Sequence, residues 1–302
     1  MKTKKEIDVE LVRIEGDLAP FVMVDYLDRD AHEYSGLLLI DSGSTANILS
    51  HEMSNFIGKL SMLHDQGATI SSIGPEVMDV DQVKFSFALG GVQFHETFFL
   101  SSRQIPCSVK GMKVLGLLGN QFMQQHNLVL DFSDYTLHTS RIGPDNLAIS
   151  DCAFFFPMEI GLRYYGLPVV SVSQNGKELV TLVDSGSTSN MISCYSLAEN
   201  KFRHKLLESK DVINNITGSV AVNEAIVWFT MLSLDTNDVY EVSRRDHFLV
   251  LPCNVMATEE GNSVANEEQI PPIEVLIGCP FMAKEGWTLD FGAKIMYKLK
   301  AA

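Results

Sequence analysis

Cysteine is scarce in this chain of 302 residues: five, at Cys107, Cys152, Cys194, Cys253 and Cys279, odd in number and widely spread. That fits a reducing cytosol better than a disulfide framework, so a cytoplasmic protein is expected. No pair of cysteines has metal-ligand spacing, and the eight histidines are scattered, so no zinc site is expected. His64 and His126 read as surface or loop residues. Positive charge is scarce as well. Lysine and arginine number 23 against 38 acidic residues, a net charge of −15. With no basic stripe to offset that excess, a nucleic-acid partner is excluded. No apolar run approaches the length of a membrane span. The basic start "MKTKKEIDVELVRIEGD" has no apolar core behind it, so no secretory signal is expected.

What the chain does contain, it contains twice. "LLLIDSGSTANIL" runs from Leu37 to Leu49 and "VTLVDSGSTSNMI" from Val180 to Ile192, each an Asp-Ser-Gly-Ser-Thr between apolar runs. A motif repeated with its apolar frame about half a chain apart marks a duplicated structural unit. Upstream of each copy the sequence reads strand, polar turn, strand, with Asn175-Gly176 a strong hairpin signal before the second. Downstream, "GATISSIGPEVMDVDQVKFSF" aligns with "KDVINNITGSVAVNEAIVWFT": strand, glycine-containing tip, strand, with Gly74 and Gly218 at near-equal offsets from the two aspartates.

Each half then closes alike. "VLGLLGNQFMQQHNLVLDFSDYTLH" at 114–138 and "EVLIGCPFMAKEGWTLDFGAKIMYKL" at 274–299 share apolar-apolar-Gly, Phe-Met and Leu-Asp-Phe in order, pairing Gly119 with Gly278 and Asp131 with Asp290. Short strands dominate, with one helical stretch expected after each closing glycine. The polar run 257–269 reads as an exposed loop and 140–157 as a linker. The expectation is two homologous β-rich lobes, over 1–147 and 148–302, in keeping with a length of roughly two domains.

Each aspartate leaves an apolar strand in a tight turn, where Gly43 and Gly186 permit close backbone approach. A carboxylate at such a place is costly to bury unless it is hydrogen-bonded or shares its charge. If a pseudo-twofold axis relates the halves, Asp41 and Asp184 meet near it, hold one proton between them and titrate as a pair. The chemistry that follows is acid–base: the charged member draws a proton from a water while the protonated member polarises a carbonyl.

These residues resemble the pepsin/retropepsin class of aspartic proteases, whose signature is Asp-Thr/Ser-Gly followed by a small or hydroxyl residue. Residues 41–45 and 184–188 both match it. Leu117-Leu118-Gly119 and Leu276-Ile277-Gly278 match the apolar-apolar-Gly that packs behind the catalytic loop in that family. The likeness spans about 20–140 and 165–299. It implies an all-β, bilobal acid-protease fold, with two β-barrel-like lobes about a pseudo-twofold axis. It also implies an aspartic endopeptidase that cleaves peptide or protein substrates as a monomer, without cofactor or metal. By the same resemblance Asp41 and Asp184 are the catalytic dyad, and Ser42 and Ser185 tie the two loops together. Ser44 and Ser187 donate to the outer carboxylate oxygens, which implies an acidic optimum.

Both halves carry the compact retroviral-type pattern, as though a homodimeric protease had been fused into one chain. The first flap candidate, "SSIGPEVM", lacks the tyrosine of pepsin-type flaps. Two flaps are therefore expected, around Ile73-Gly74 and Thr217-Gly218, with Ile73 and Val220 as pocket walls. Two other readings stay open: structural turn aspartates, and a non-catalytic peptide- or protein-binding pseudo-protease that keeps the dyad by descent. Asp131 and Asp290 read as structural, Gly74 and Gly218 equally as plain hairpin glycines, and Trp228 and Trp287 as core.

Overall fold

Apolar runs buried on both faces belong inside a sheet, and the run before each Asp-Ser-Gly does. The computed structural model describes residues 6–14, 17–28, 30–50, 52, 61–62, 68–71, 77–101, 108–109, 111–140, 151–161, 164, 166–174, 177–199, 202–214, 219–234, 239–252, 255 and 272–300. Within it, strand Glu33–Asp41 lies parallel to Met112–Gly119, and Lys177–Asp184 lies parallel to Ile273–Gly278. Leu37, Leu38, Ile40, Val183, Leu276 and Ile277 are all fully buried there. Each such side chain contributes about 1.5–3 kcal/mol by leaving water, so these strands anchor their halves. The closing strand also pairs, antiparallel, with the strand that follows the turn: Ile48–Ser50 in the first half, Asn190–Ser193 in the second. Each closing strand thus runs between the two strands that carry its Asp-Ser-Gly turn.

A six-stranded sheet joins the halves. Its order is Asp8–Glu10, Thr136–Thr139, Leu128–Asp131, Thr288–Asp290, Ile295–Leu299, Cys152–Pro157. At its centre Leu130 stands opposite Leu289, its own counterpart in the repeat, while Val129 faces Asp290 and Asp131 faces Thr288. Phe132 N donates to Trp287 O and Phe291 N to Leu128 O, an exchange with the same symmetry. A local twofold axis therefore passes between Leu130 and Leu289.

Among the described residues the remaining strands form one large sheet per half, the first with ten strands and the second with seven. Helices Asn120–Gln125 and Cys279–Glu285 follow the closing glycines, as the sequence predicts. In the first half Phe85, Phe87, Phe94, Phe98 and Phe122 interlock with ring centroids 5.3–6.1 Å apart. Among the described residues no helix is long and apolar enough to cross a membrane.

Two expectations need correction. The stretch 140–157 is not all linker: Cys152–Pro157 is a strand on the edge of the central sheet, with Cys152, Phe154 and Phe156 buried in period-two alternation. Trp287 is core, fully buried between Phe154 and Phe281, but Trp228 is not. It lies half-buried on an outer sheet face between the guanidinium groups of Arg203 and Arg245, at 4.6 and 5.3 Å. The expected loop at 257–269 lies outside the described residues.

Candidate active site

Parallel pairing sets Asp41 beside Gly119 and Asp184 beside Gly278, so both aspartates end their strands next to a closing glycine. The chain then turns at once. Ser44 N donates to Asp41 O and Ser187 N to Asp184 O, both at 3.3 Å. Gly43 N donates to Asp41 Oδ1 at 3.0 Å. Gly186 N and Ser187 N donate to Asp184 Oδ1 at 2.9 and 3.1 Å. Amides aimed at a carboxylate favour its charged form.

The two turns are locked to each other. Ser42 Oγ donates to Val183 O at 2.7 Å and accepts from Ser185 N at 2.8 Å. Ser185 Oγ donates to Ile40 O at 2.7 Å and accepts from Ser42 N at 2.9 Å. Both serines are fully buried, so every donor and acceptor in this exchange is satisfied only by the opposite half. Ser42 and Ser185 therefore tie the loops together as expected.

Beyond the serines, each carboxyl packs against the other loop's glycine. A Cβ on Gly43 would lie 2.3 Å from Asp184 Cγ, and one on Gly186 would lie 2.3 Å from Asp41 Cγ. No larger residue fits, and this close approach is what brings the carboxyls into mutual hydrogen-bonding contact. Burial pushes Asp41 well above the usual carboxylate range, and the neighbouring Asp184 charge adds to the shift. Burial also raises Asp184, but there the hydrogen bond from Asp41 and the amides of Gly186, Ser187 and Gly43 oppose it. Both carboxyls are thus raised by burial, and in contact they titrate as a pair that keeps a proton above the ordinary carboxylate range.

Ser44 and Ser187 do not take their expected role. Their hydroxyls donate to Ala46 O and Ser189 O, both at 2.8 Å, two residues along the same turn. A serine in a turn readily bonds a backbone carbonyl of its own turn, and the outer carboxylate oxygens go without this donor. The flap candidates Ile73, Gly74, Thr217 and Gly218 lie outside the described residues. The hairpin arms flanking them are described: Ser71 pairs with Val77, and Asn214 with Ser219. Val220 is half-buried against a small apolar cluster with Val222 and Leu251.

Two supporting residues escaped the sequence reading, although the signal was there: an asparagine ends both "DSGSTAN" and "DSGSTSN". Asn47 Oδ1 accepts from Gly119 N at 2.9 Å and its Nδ2 donates to Thr97 O at 3.2 Å. Asn190 Oδ1 accepts from Gly278 N at 3.0 Å and its Nδ2 donates to His247 O at 3.2 Å. Each asparagine pins its turn to the closing strand and to a neighbouring strand together. Asp131 and Asp290 are structural, as read. Asp131 Oδ1 accepts from Ser133 N and Ser133 Oγ, and Asp290 accepts from Ala293 N and Ser140 Oγ. His126 sits beside Phe94 and Phe122 and pairs with Glu96 at 2.9 Å. Among the described residues the group at metal-ligand spacing is Asp28, Asp30 and His32. There Asp28 caps its own turn, accepting from Asp30 N and His32 N.

No family model matches the chain, and no curated protein matches it. Solved structures do match it, over almost the entire chain. An aspartic proteinase from Irpex lacteus aligns over 99% of this chain and 98% of its own, with a TM-score of 0.54 at 12% identity. The fold is pepsin-like. Basic 7S globulin from soybean covers 98% of this chain and 97% of its own, with a TM-score of 0.51 at 9% identity. Identities this low speak for the fold alone. One of these neighbours is named a proteinase and the other a globulin, so the pepsin-like fold leaves the chemistry to be argued from the site.

Proposed function

We propose that the chain is an aspartic endopeptidase in which Asp41 and Asp184 activate a water for attack on a peptide bond. The observation that carries this reading is the locked pair of turns, which forces two buried carboxyls into contact and raises both. The ionised member of the pair takes a proton from the water as its oxygen bonds to the scissile carbonyl carbon. The protonated member gives its proton to the carbonyl oxygen, leaving a neutral tetrahedral diol. The diol then collapses: the C–N bond breaks, the amine nitrogen takes the proton drawn from the water, a diol hydroxyl gives its proton to the other carboxylate, and the dyad holds one proton as it did at the start.

Activity requires one carboxyl charged and the other protonated, so a bell-shaped pH profile is expected. Because Asp41 titrates well above the usual range, the alkaline limb lies well above that of an ordinary carboxylate. The acidic optimum that hydroxyl donation from Ser44 and Ser187 implied is the competing expectation, and the same pH profile distinguishes the two. The proposal includes a peptide or protein substrate, action as a monomer and a cytoplasmic setting, which the few, widely spread cysteines suit.

One observation favours the alternative, a non-catalytic peptide-binding protein on the same cleft: the carboxylates lack the Ser44 and Ser187 hydroxyl donors. Incubation with a diverse peptide mixture from acid to neutral pH, read by mass spectrometry beside Asp184→Asn, separates the two. Cuts that vanish in the variant support the enzyme. Peptides retained but uncut by the unmodified chain support the binding protein.

A further inference from the structure

Away from the cleft, the outer face of the C-terminal sheet carries a feature at odds with the chain's net charge of −15. In the register of strands Arg203–Asn214, Ser219–Leu234 and Val239–Leu251, Trp228 stands opposite Arg203 on one side and Arg245 on the other. Two residues along, Ile226 stands opposite Lys205 and His247. Side chains two apart on a strand share a face, so these six form one patch, with Arg203, Arg245 and Lys205 at three corners, His247 at the fourth and an apolar centre. His247 is tied to Glu224 at 2.7 Å. Arg203, Lys205 and Arg245 are exposed, and none has a carboxylate partner among the described residues.

The indole holds both guanidinium groups by cation–π contact, at 4.6 and 5.3 Å. A guanidinium stacked this way keeps its N–H edge free for a carboxylate, while its side-chain entropy is already partly lost. Arg203 and Arg245 lie two strands apart, about 10 Å between Cα atoms. Carboxylates three residues apart on a segment extended as polyproline II share a face and lie about 9 Å apart, which matches that spacing. From this array we infer that the face is a docking surface for an acidic, extended segment of a partner protein. A long polyanion such as nucleic acid would engage the same cations but meet the repulsion of the whole acidic chain. A short acidic segment meets only the patch. The inference is independent of whether the cleft cuts peptides.

Trp228 makes the test direct, because the chain's other tryptophan, Trp287, is fully buried. Hexaglutamate, hexalysine and oligothymidylate are titrated into the full chain at low salt, with indole emission and the anisotropy of labelled peptide both recorded. Saturable hexaglutamate binding that changes the emission is expected, with no emission change in Trp228→Phe. The doubly substituted Arg203→Gln/Arg245→Gln chain, checked for an unaltered unfolding transition, should bind about tenfold more weakly. If it does not fold, Lys205→Gln, at an exposed side chain, is read instead and should weaken binding about threefold. No saturable binding, tighter oligothymidylate binding, or glutamine variants that bind as the unmodified chain does would each overturn the inference.

Discussion

In the N-terminal half the Asp41 turn is braced by Ser42, Asn47 and Gly119; in the C-terminal half the Asp184 turn is braced by Ser185, Asn190 and Gly278. Corresponding bonds agree in donor, in acceptor and, to about 0.1 Å, in length. A short distance away the likeness ends. The first half packs a cluster of phenylalanines around Phe87, while the second carries Trp228 and its two arginines on an outer face. Symmetry persists where each half completes the hydrogen bonds of the other. A buried polar group without its partner costs about 1–3 kcal/mol, so a change on one side must be matched on the other. Residues that answer only to their own half carry no such constraint.

The comparison breaks most sharply at the glycines. Gly43→Ala or Gly186→Ala puts a methyl group into the opposite carboxyl, so each should cost about 3 kcal/mol in denaturant unfolding and abolish peptide cleavage. Equal losses in both halves would sharpen the symmetry, and a tolerated alanine on either side would break it. Next come the serines. Ser42→Ala strands Val183 O and Ser185 N and should cost about 1–3 kcal/mol, as should Ser185→Ala. Since the two hydroxyls serve one exchange, the double variant should lose clearly less than the sum of the singles. Asn47→Ala and Asn190→Ala should each cost about 1–2 kcal/mol by orphaning the Gly119 and Gly278 amides. Braces as alike as these predict equal costs in the same unfolding experiment.

The smallest effect is expected from Ser44→Ala and Ser187→Ala. Their hydroxyls serve nearby carbonyls, so about 0.5–1 kcal/mol of stability should go, and the pH profile of cleavage should not move. A displaced acid limb would show that the hydroxyls reach the carboxylates after all.

Much of this architecture is legible in the sequence because it is written twice. Asp41 with Gly119 and Asp184 with Gly278 announce two equivalent turns, and the cross-turn role of Ser42 and Ser185 follows once the turns face each other. Asn47 and Asn190 repeat just as plainly, yet their acceptor role depends on amides 72 and 88 residues further along the chain, which local pattern does not bring near. The hydroxyls of Ser44 and Ser187 had two acceptors in reach, and sequence does not choose between them. Trp228 has the composition of a core residue. Only the register that puts arginine on both sides of it reveals an outward face. The strand Cys152–Pro157 was hidden because its partner, Ile295–Leu299, lies at the far end of the chain.

The central claim is that Asp41 and Asp184 act as one site holding one proton, and a difference titration of the native chain against Asp41→Asn/Asp184→Asn tests it without knowledge of any substrate. Both carboxyls are raised in the folded state, so the folded chain binds protons that the unfolded chain has released. Their stabilisation is full below the ordinary range near about pH 4 and is lost as pH rises through the raised values. The account predicts that the unmodified chain retains one proton more than the variant well above that range, and releases it in a separate step from the first. Two protons lost together within the ordinary carboxylate range would contradict it.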